Sequence, residues 1–251
     1  MLHRSDCEST ECHSSFRGIS GRDLAPACFA SQAQNPTDQM GKHPVSEASR
    51  FAASASEANR VGLPTSKRRA IFLDRDGVIN RPLIRAGKPY PPSNVDEFHI
   101  LPGVPDACRL LKKLGFLLVV ATNQPDVGRG TLPRASVETI HRWLPKQLAI
   151  DAIFTCFHAG EAYGQTCDCR KPRPGMLLQA ASELQIDLAN SFMIGDRWRD
   201  VECGFNAGCR TFLVDWGYRE TLKQQPDYRV DNLLAAAHLI QNLTFSTHAR
   251  T

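Results

Sequence analysis

The sequence predicts an α/β fold in which helices cover both faces of a parallel sheet. Five short apolar segments have the character of buried strands, and none shows the strict apolar–polar alternation of a strand with one solvated face. Segments with helical periodicity lie between them. Acidic and other polar residues follow several strand segments directly, at the edge where open α/β sheets bind ligands. These observations together favour a Rossmann-like arrangement.

The predicted elements alternate along residues 70–243. The strand segments are AIFLD at 70–74, FLLVVAT at 116–122, AIFTCF at 152–157, SFMIGD at 191–196 and TFLVD at 211–215. Apolar residues recur with helical spacing in four segments, which span 104–114, 137–144, 177–184 and 233–240. We expect Pro145 to kink or end the second of these helices, and Asp231 to cap the last.

Residues 1–66 differ in composition from the remainder of the chain. They contain 11 Ser and 9 Ala but only three aromatic residues, and they show no sustained apolar periodicity. This composition is typical of a disordered leader, and we assign residues 67–245 to the folded domain. The start of the chain has no apolar stretch of the kind a secretory signal needs.

Charge and hydropathy exclude several classes of function. From residue 67 onward the chain has 24 basic and 19 acidic residues, a net charge of about +5, which suits a small anionic substrate better than a nucleic acid. The longest strongly apolar run, Phe116–Ala121, is much too short to span a bilayer. We therefore expect binding to neither nucleic acid nor membrane, and we further expect a cytoplasmic monomer.

Two pairs of acids stand at predicted strand ends. Asp74 and Asp76 follow the first strand, and Asp196 follows the fourth, with Asp200 four residues further on. Carboxylates at neighbouring strand ends repel one another unless a hard cation lies between them, and Mg²⁺ binds carboxylates and phosphate oxygens. With such a cation in place, one aspartate can attack phosphorus while the other transfers a proton.

Two further polar segments fit the same chemistry. The second strand ends in Thr122-Asn123-Gln124, and Arg170-Lys171 precede a predicted helix. Thr122 can hydrogen-bond a phosphate oxygen, and Lys171 can neutralise its charge. A lone D-x-D pair usually lies in a solvated turn. Here, however, the other polar segments follow it along the chain, and each stands at the end of a predicted element, which favours a catalytic role.

The segments FLDRDGVIN, ATNQP, CRKPRPGM and MIGDRWRD resemble the four motifs of the haloacid dehalogenase-like (HAD) phosphatases. The resemblance covers roughly residues 70–243 and implies a HAD fold. Within the superfamily, the motifs are similar to those of the heptose bisphosphate phosphatases and of the related histidinol-phosphate phosphatases.

The resemblance implies a role for each matching residue. Asp74 is the expected nucleophile, which forms a phosphoaspartyl intermediate, and Asp76 is the expected acid and base. Mg²⁺ is expected on Asp74, Asp196 and the main-chain carbonyl of Asp76. Thr122 and Lys171 are expected to stabilise the phosphoryl group. The expected substrate contacts are Asn123, Gln124, Arg170 and Arg197.

The chain departs from the family pattern at three places. Pro125 stands where a serine usually follows Thr-Asn-Gln, and Arg197 stands where the heptose enzymes usually have lysine. The segment RPLIRAGKPYPP at 81–92 lacks the short acidic-aromatic sequence of the best-known heptose phosphatases. A heptose 1,7-bisphosphate is the expected substrate, with histidinol phosphate or another small phosphomonoester as the alternative. A catalytically silent binding protein is the alternative of another class.

A cysteine-rich loop follows the third predicted strand. Cys156, His158, Cys167 and Cys169 offer three thiolates and one imidazole, which form a closed tetrahedral set for Zn²⁺. Because this set leaves no ligand position for water, we expect the zinc to be structural. Free thiols that bind metal also imply a reducing compartment. The alternative is that these four residues are unrelated and bind no metal. This loop and the roughly 28 residues between Asp76 and the first core helix are too short for a large cap domain.

Overall fold

The computed structural model describes residues 67–85 and 88–248. Residues 1–66, for which the composition predicts a disordered leader, lie outside this range. Both that prediction and the domain boundary at residue 67 therefore stay predictions. The elements in chain order are β1 (Ala70–Leu73), β2 (Leu83–Arg85), β3 (Lys88–Tyr90), α1 (Val104–Lys113), β4 (Leu117–Asn123), α2 (Pro125–Gly128), α3 (Arg134–Gln147), β5 (Ala152–Cys156), α4 (Gly175–Leu184), β6 (Phe192–Gly195), α5 (Trp198–Ala207), β7 (Arg210–Val214), β8 (Tyr228–Val230) and α6 (Leu233–His248).

Six of these strands form one parallel sheet. Their spatial order is β5-β4-β1-β6-β7-β8, and every neighbouring pair is parallel. The five predicted strand segments are all confirmed, and β8 is an additional strand of three residues at the sheet edge. The predicted parallel α/β fold is thus confirmed.

The strand order places a crevice at the centre of the sheet. The chain builds outward from β1 through β4 to β5, then returns to place β6 on the other side of β1. Connections on the two sides of β1 therefore diverge, and a topological switch point of this kind leaves room for a ligand at the carboxyl ends of the strands. Asp74 follows β1 and Asp196 follows β6, so both lie at this crevice.

The core explains why the strands show no alternation. Ile71 and Leu73 of β1 face a core formed with α1, α3 and α6, while Ala70 and Phe72 face a second core formed with α4 and α5. All four side chains are fully buried. Because helices cover both faces, both sets of alternate residues must be apolar.

Two sequence expectations about the helix ends differ from the structure. Pro145 does not end α3, which continues to Gln147, because so close to the helix end the missing N–H removes only a bond of the last turn; a kink at Pro145 stays a prediction. Asn232, and not Asp231, caps α6, since its Oδ1 accepts the Ala235 N–H at 3.0 Å. An asparagine oxygen caps a helix as well as an aspartate does.

No large cap domain covers the crevice among the described residues. The chain between β1 and α1 forms a small antiparallel hairpin of β2 and β3, and the cysteine loop lies between β5 and α4. Among the described residues, none of the helices has the length and apolar character needed to cross a membrane.

Candidate active site

A buried lysine joins two carboxylates at the centre of the crevice. Lys171 Nζ lies 2.9 Å from Asp74 Oδ1 and 2.5 Å from Asp200 Oδ1, and it donates to the Ala121 carbonyl at 2.8 Å. Its side chain is 2% exposed. Burial alone would lower the pKa of Lys171, but Asp200 and Asp74 raise it above its ordinary value. The lysine therefore stays charged.

Three carboxylates come together beside this lysine. Asp74, Asp196 and Asp200 each place one oxygen within 4.8 Å of the others, close enough to share a cation. Burial raises the pKa of Asp74 to about 6 despite the opposing effect of Lys171. Burial, followed by the charges of Asp74 and Asp200, raises the pKa of Asp196 well above its ordinary value. A cation would relieve this repulsion.

The ligand set suits a hard divalent ion. Asp196 Oδ1 is buried and has no hydrogen-bond partner among the described residues, as a ligand oxygen would. All three side chains offer oxygen, which Mg²⁺ prefers. Asp200, which the sequence analysis placed in the second acid pair but not among the expected Mg²⁺ ligands, is therefore a further candidate.

Asp76 is held by hydrogen bonds from three side chains. Arg75 donates to both carboxylate oxygens, at 3.2 and 2.9 Å. Asn80 donates to Oδ1 and Gln124 donates to Oδ2, each at 2.9 Å. The Asp76 side chain remains 22% exposed and lines the pocket. Its carboxylate is therefore fixed in orientation but open to a ligand.

The polar residues at the end of β4 mainly hold other site residues in position. Asn123 and Lys171 exchange hydrogen bonds, each at 3.1 Å, between the amide side chain and the Lys171 main chain. Gln124 is 1% exposed and also donates to Thr122 Oγ1 at 2.9 Å. Asn123 lines the pocket, whereas the Gln124 amide is directed at Asp76 and Thr122. Substrate contact by Gln124 stays a prediction.

Four arginines surround the pocket, and two of them pair with a carboxylate of the chain. They are Arg129, Arg170, Arg197 and Arg199. Arg197 contacts Glu220 through both Nε, at 2.9 Å, and a terminal nitrogen, and this hydrogen bonding raises its pKa. Arg129 pairs with Asp126 at 3.1 Å.

The other two arginines have no carboxylate within 4.0 Å among the described residues. Arg170 donates to the His158 carbonyl at 3.1 Å, which ties it to the cysteine loop, and burial lowers its pKa. Arg199 is a pocket residue that the sequence analysis did not predict, although it lies in the motif MIGDRWRD. The uncompensated positive charge at the pocket thus comes from Arg170 and Arg199.

The four predicted zinc ligands are gathered at one point. Cys167 Sγ lies 3.7 Å from Cys156 Sγ and 3.3 Å from Cys169 Sγ. His158 Nδ1 lies 3.5 Å from Cys156 Sγ and 3.3 Å from Cys169 Sγ. Two sulfurs each about 2.3 Å from a tetrahedral zinc would lie roughly 3.8 Å apart, so these side chains fit such an ion. A hydrogen bond from Cys169 lowers the pKa of Cys156 to about 5.

Comparison with known proteins agrees with this arrangement. A family model described as HAD-hydrolase-like matches residues 168–236. The D-glycero-β-D-manno-heptose-1,7-bisphosphate 7-phosphatase of Escherichia coli K12 is 44% identical over 154 residues, which are 58% of this chain and 78% of that protein. The protein of that name from Pasteurella multocida is 38% identical, over 70% of this chain and 98% of its own length. The chain belongs to the heptose bisphosphate phosphatase family.

Solved structures support the same assignment. The D,D-heptose 1,7-bisphosphate phosphatase of B. bronchiseptica, crystallised with magnesium and phosphate, is 32% identical with a TM-score of 0.60. The alignment covers 70% of this chain and 99% of that protein. A putative HAD-like phosphatase from Mesorhizobium loti is 27% identical with a TM-score of 0.55, over 73% of this chain and 91% of its own. Membership in the family makes the chain a phosphoric monoester hydrolase of HAD fold.

The family pattern and the structure together explain two departures. Pro125 begins α2, where a missing N–H is tolerated because the first helical positions have no intrahelical acceptor. Arg197 keeps the positive charge of the usual lysine but directs it to Glu220. Substrate contact by Arg197 thus stays a prediction, and its observed partner is a carboxylate of the chain itself.

Gly77 lets the turn after β1 approach Asp196. Its φ is +92°, and a Cβ at this position would lie 2.1 Å from Asp196 Oδ2. A side chain would therefore be strained by the backbone and would also displace a candidate metal ligand.

We predict that Gly77→Ala impairs activity by at least 100-fold, because it moves Asp196. Gly115→Ala is the matched control, since Gly115 has a similar φ of +82° but a Cβ added there would meet nothing within 4 Å. Steady-state kinetics and thermal unfolding of both variants separate the two effects. Equal activity losses in the two variants would show that backbone strain alone is responsible.

Proposed function

We propose that this protein is a magnesium-dependent phosphatase that removes the 7-phosphate of D-glycero-D-manno-heptose 1,7-bisphosphate through a phosphoaspartyl intermediate. The observation that carries the proposal is the buried contact of Asp74 with Lys171, with Asp196 and Asp200 close enough to share a cation. The names and identities of the relatives support the substrate.

In the first half of the reaction, an Asp74 carboxylate oxygen forms a bond to phosphorus and the bond from phosphorus to the sugar oxygen breaks. Asp76 donates a proton to that oxygen, which would otherwise leave as a strongly basic alkoxide. In the second half, Asp76 accepts a proton from water, which attacks the phosphorus of the phosphoaspartate. Inorganic phosphate leaves, and Asp74 regains its carboxylate.

Other residues stabilise the phosphoryl group between the two halves. Thr122 Oγ1 accepts from Gln124, so its own hydrogen is available for a phosphate oxygen. The Lys171 ammonium compensates the negative charge of the phosphoryl group beside Asp74. Mg²⁺, held by Asp74, Asp196 and the main-chain carbonyl of Asp76, would neutralise phosphate charge, and Asp200 stands close enough to support it.

The charges at the pocket favour a substrate with a second phosphate. Arg170 and Arg199 are cations without a carboxylate partner in the described part of the chain. A second phosphate would pair with them, whereas the amine of histidinol phosphate is itself positive and would be repelled. The pocket therefore favours a sugar bisphosphate over histidinol phosphate.

A substrate panel tests this proposal. We expect kcat/KM for heptose 1,7-bisphosphate, in at least one anomer, to exceed that for histidinol phosphate by at least 100-fold. Arg199→Gln should raise KM for the bisphosphate and leave p-nitrophenyl phosphate nearly unchanged, because only the bisphosphate has a second anion. Arg109→Gln, at an exposed site on α1, is the control. Preference for histidinol phosphate would contradict the proposed substrate.

We propose a structural role for zinc at Cys156, His158, Cys167 and Cys169. Soft thiolates select zinc, whereas the carboxylate site selects magnesium. The ion would fix the loop that presents Arg170 and Lys171, because Arg170 donates to the His158 carbonyl. Location in the cytoplasm and a monomeric state stay predictions.

Purified protein should contain about one zinc per chain that dialysis against magnesium does not displace. Cys167→Ser should lower the zinc content, the melting temperature and the affinity for substrate together, since zinc binding contributes to folding. Cys108→Ser is the control, because Cys108 is buried in α1 outside the loop. Elemental analysis and thermal unfolding provide the measurements. Wild-type protein without zinc, together with an unaffected Cys167→Ser variant, would refute the zinc site.

A further inference from the structure

Arg75, the residue between the two aspartates of the first motif, is fully buried. Its side chain is 0% exposed, although arginine is rarely found without access to water. One terminal nitrogen, Nη2, donates to Asp76 Oδ2 at 2.9 Å and to Oδ1 at 3.2 Å. The other, Nη1, lies 3.1 Å from His141 Nε2 on α3. The guanidinium therefore lies between the candidate acid–base residue and a helix of the core.

The burial of Arg75 makes its two contacts interdependent. A buried charge is costly unless it is paired and its hydrogen bonds are satisfied. Among the described residues, Asp76 is the carboxylate within salt-bridge distance of Arg75. Any shift of the Arg75 guanidinium should therefore also shift the Asp76 carboxylate.

His141 serves as an acceptor and not as an acid or base. It is 2% exposed, and burial, assisted by the charge of Arg75, lowers its pKa well below the ordinary value. The ring is therefore neutral, Arg75 donates to Nε2, and the ring hydrogen resides on Nδ1. That nitrogen lies 3.4 Å from Thr155 Oγ1, so β5 and α3 together fix the orientation of the ring.

We propose that His141 and Arg75 are positioning residues for the reaction, with His141 fixing the Arg75 guanidinium and Arg75 fixing the Asp76 carboxylate at the leaving-group oxygen. The proposal rests on the proposed function, in which Asp76 is the acid and base. It extends the active site to a buried histidine on α3, 65 or more positions beyond the aspartates in the sequence. Asn80 and Gln124 contact the carboxylate from other directions, so loss of His141 should displace Asp76 without releasing it.

Two amide replacements of His141 provide a matched pair of variants. In His141→Gln the side-chain oxygen can occupy the position of Nε2 and keep the contact with Arg75. In His141→Asn the oxygen can reach only the position of Nδ1, so the contact is lost while the chemistry of the side chain is the same. Leu144→Ala controls for a general loss of packing, because Leu144 is buried on the same helix but does not contact Arg75 or Asp76 through a hydrogen bond.

The readout is the dependence of kcat/KM on the leaving group, because kcat/KM reports the steps up to leaving-group release and excludes hydrolysis of the phosphoaspartate, in which Asp76 acts on every substrate alike. With heptose 1,7-bisphosphate, His141→Asn should lower kcat/KM about 10- to 100-fold, which is less than the full contribution of general acid catalysis, on the order of 10²- to 10⁴-fold, because Asp76 is displaced and not lost. With p-nitrophenyl phosphate, whose leaving group needs no proton, the loss should stay below about 3-fold. His141→Gln should restore most of the loss, and Leu144→Ala should affect both substrates equally. Arg75→Lys, which cannot contact both partners at once, should reproduce the pattern of His141→Asn.

The variant Asp76→Asn separates this inference from the proposed function. If Asp76→Asn lowers kcat/KM equally for both substrates, then Asp76 is not the acid and the proposed function fails at that step. If Asp76→Asn shows the leaving-group dependence but His141→Asn and Arg75→Lys do not, the positioning proposal alone is overturned. On an Asp76→Asn background, His141→Asn should have no further effect on kcat/KM, because residues that act through one group are not additive.

Discussion

The repulsion among three carboxylates, two of them buried and the third mostly so, is the constraint on which the rest of the active site depends. Asp74, Asp196 and Asp200 converge within 4.8 Å, and one buried lysine opposes them with contacts to Asp74 and Asp200. Burial and mutual charge raise the pKa of Asp74 to about 6. A bound divalent cation would stabilise the three carboxylates in their charged form, because it offsets their mutual repulsion. The same cation would also attract the phosphate of a substrate.

The fold brings these groups together from distant parts of the chain. The return of the chain to place β6 beside β1 sets Asp74 next to Asp196, and α5 begins so close to β6 that Asp200 caps it through a bond to the Arg197 N–H at 3.0 Å. Lys171 comes from the loop before α4 and is held by Asn123 of β4. The cysteine loop anchors the same segment from the other side through Arg170 and the His158 carbonyl. The ends of β1 and β6, the start of α5 and the loop before α4 thus supply the parts of a single charge arrangement.

Much of this organisation could be predicted from the sequence because burial leaves a strong pattern. The five strands were recognisable since both faces are apolar, whereas β8 was missed because its three residues are partly exposed.

Among the site residues, Asp74 and Asp196 were recognisable because they stand at strand ends. The partners of Lys171 and Arg197 were not, because Asp200 and Glu220 approach through tertiary contacts that spacing does not encode. Gln124 was expected at the substrate, but its buried hydrogen bonds to Asp76 and Thr122 depend on its side-chain direction. The sequence assigned no role to Arg75, because its contact with His141 of α3 is a tertiary contact that the motif does not encode.

Chemical trapping of the intermediate tests the proposed role of Asp74 most directly. Enzyme quenched during turnover of heptose 1,7-bisphosphate is treated with borohydride, which reduces an acyl phosphate to an alcohol, and its peptides are analysed by mass spectrometry. Homoserine should appear at position 74 in a substrate-dependent manner, and Asp74→Asn should show none. An unmodified Asp74 in enzyme that turns over normally, or a phosphoryl group trapped on another side chain, would contradict the assignment of Asp74 as the nucleophile.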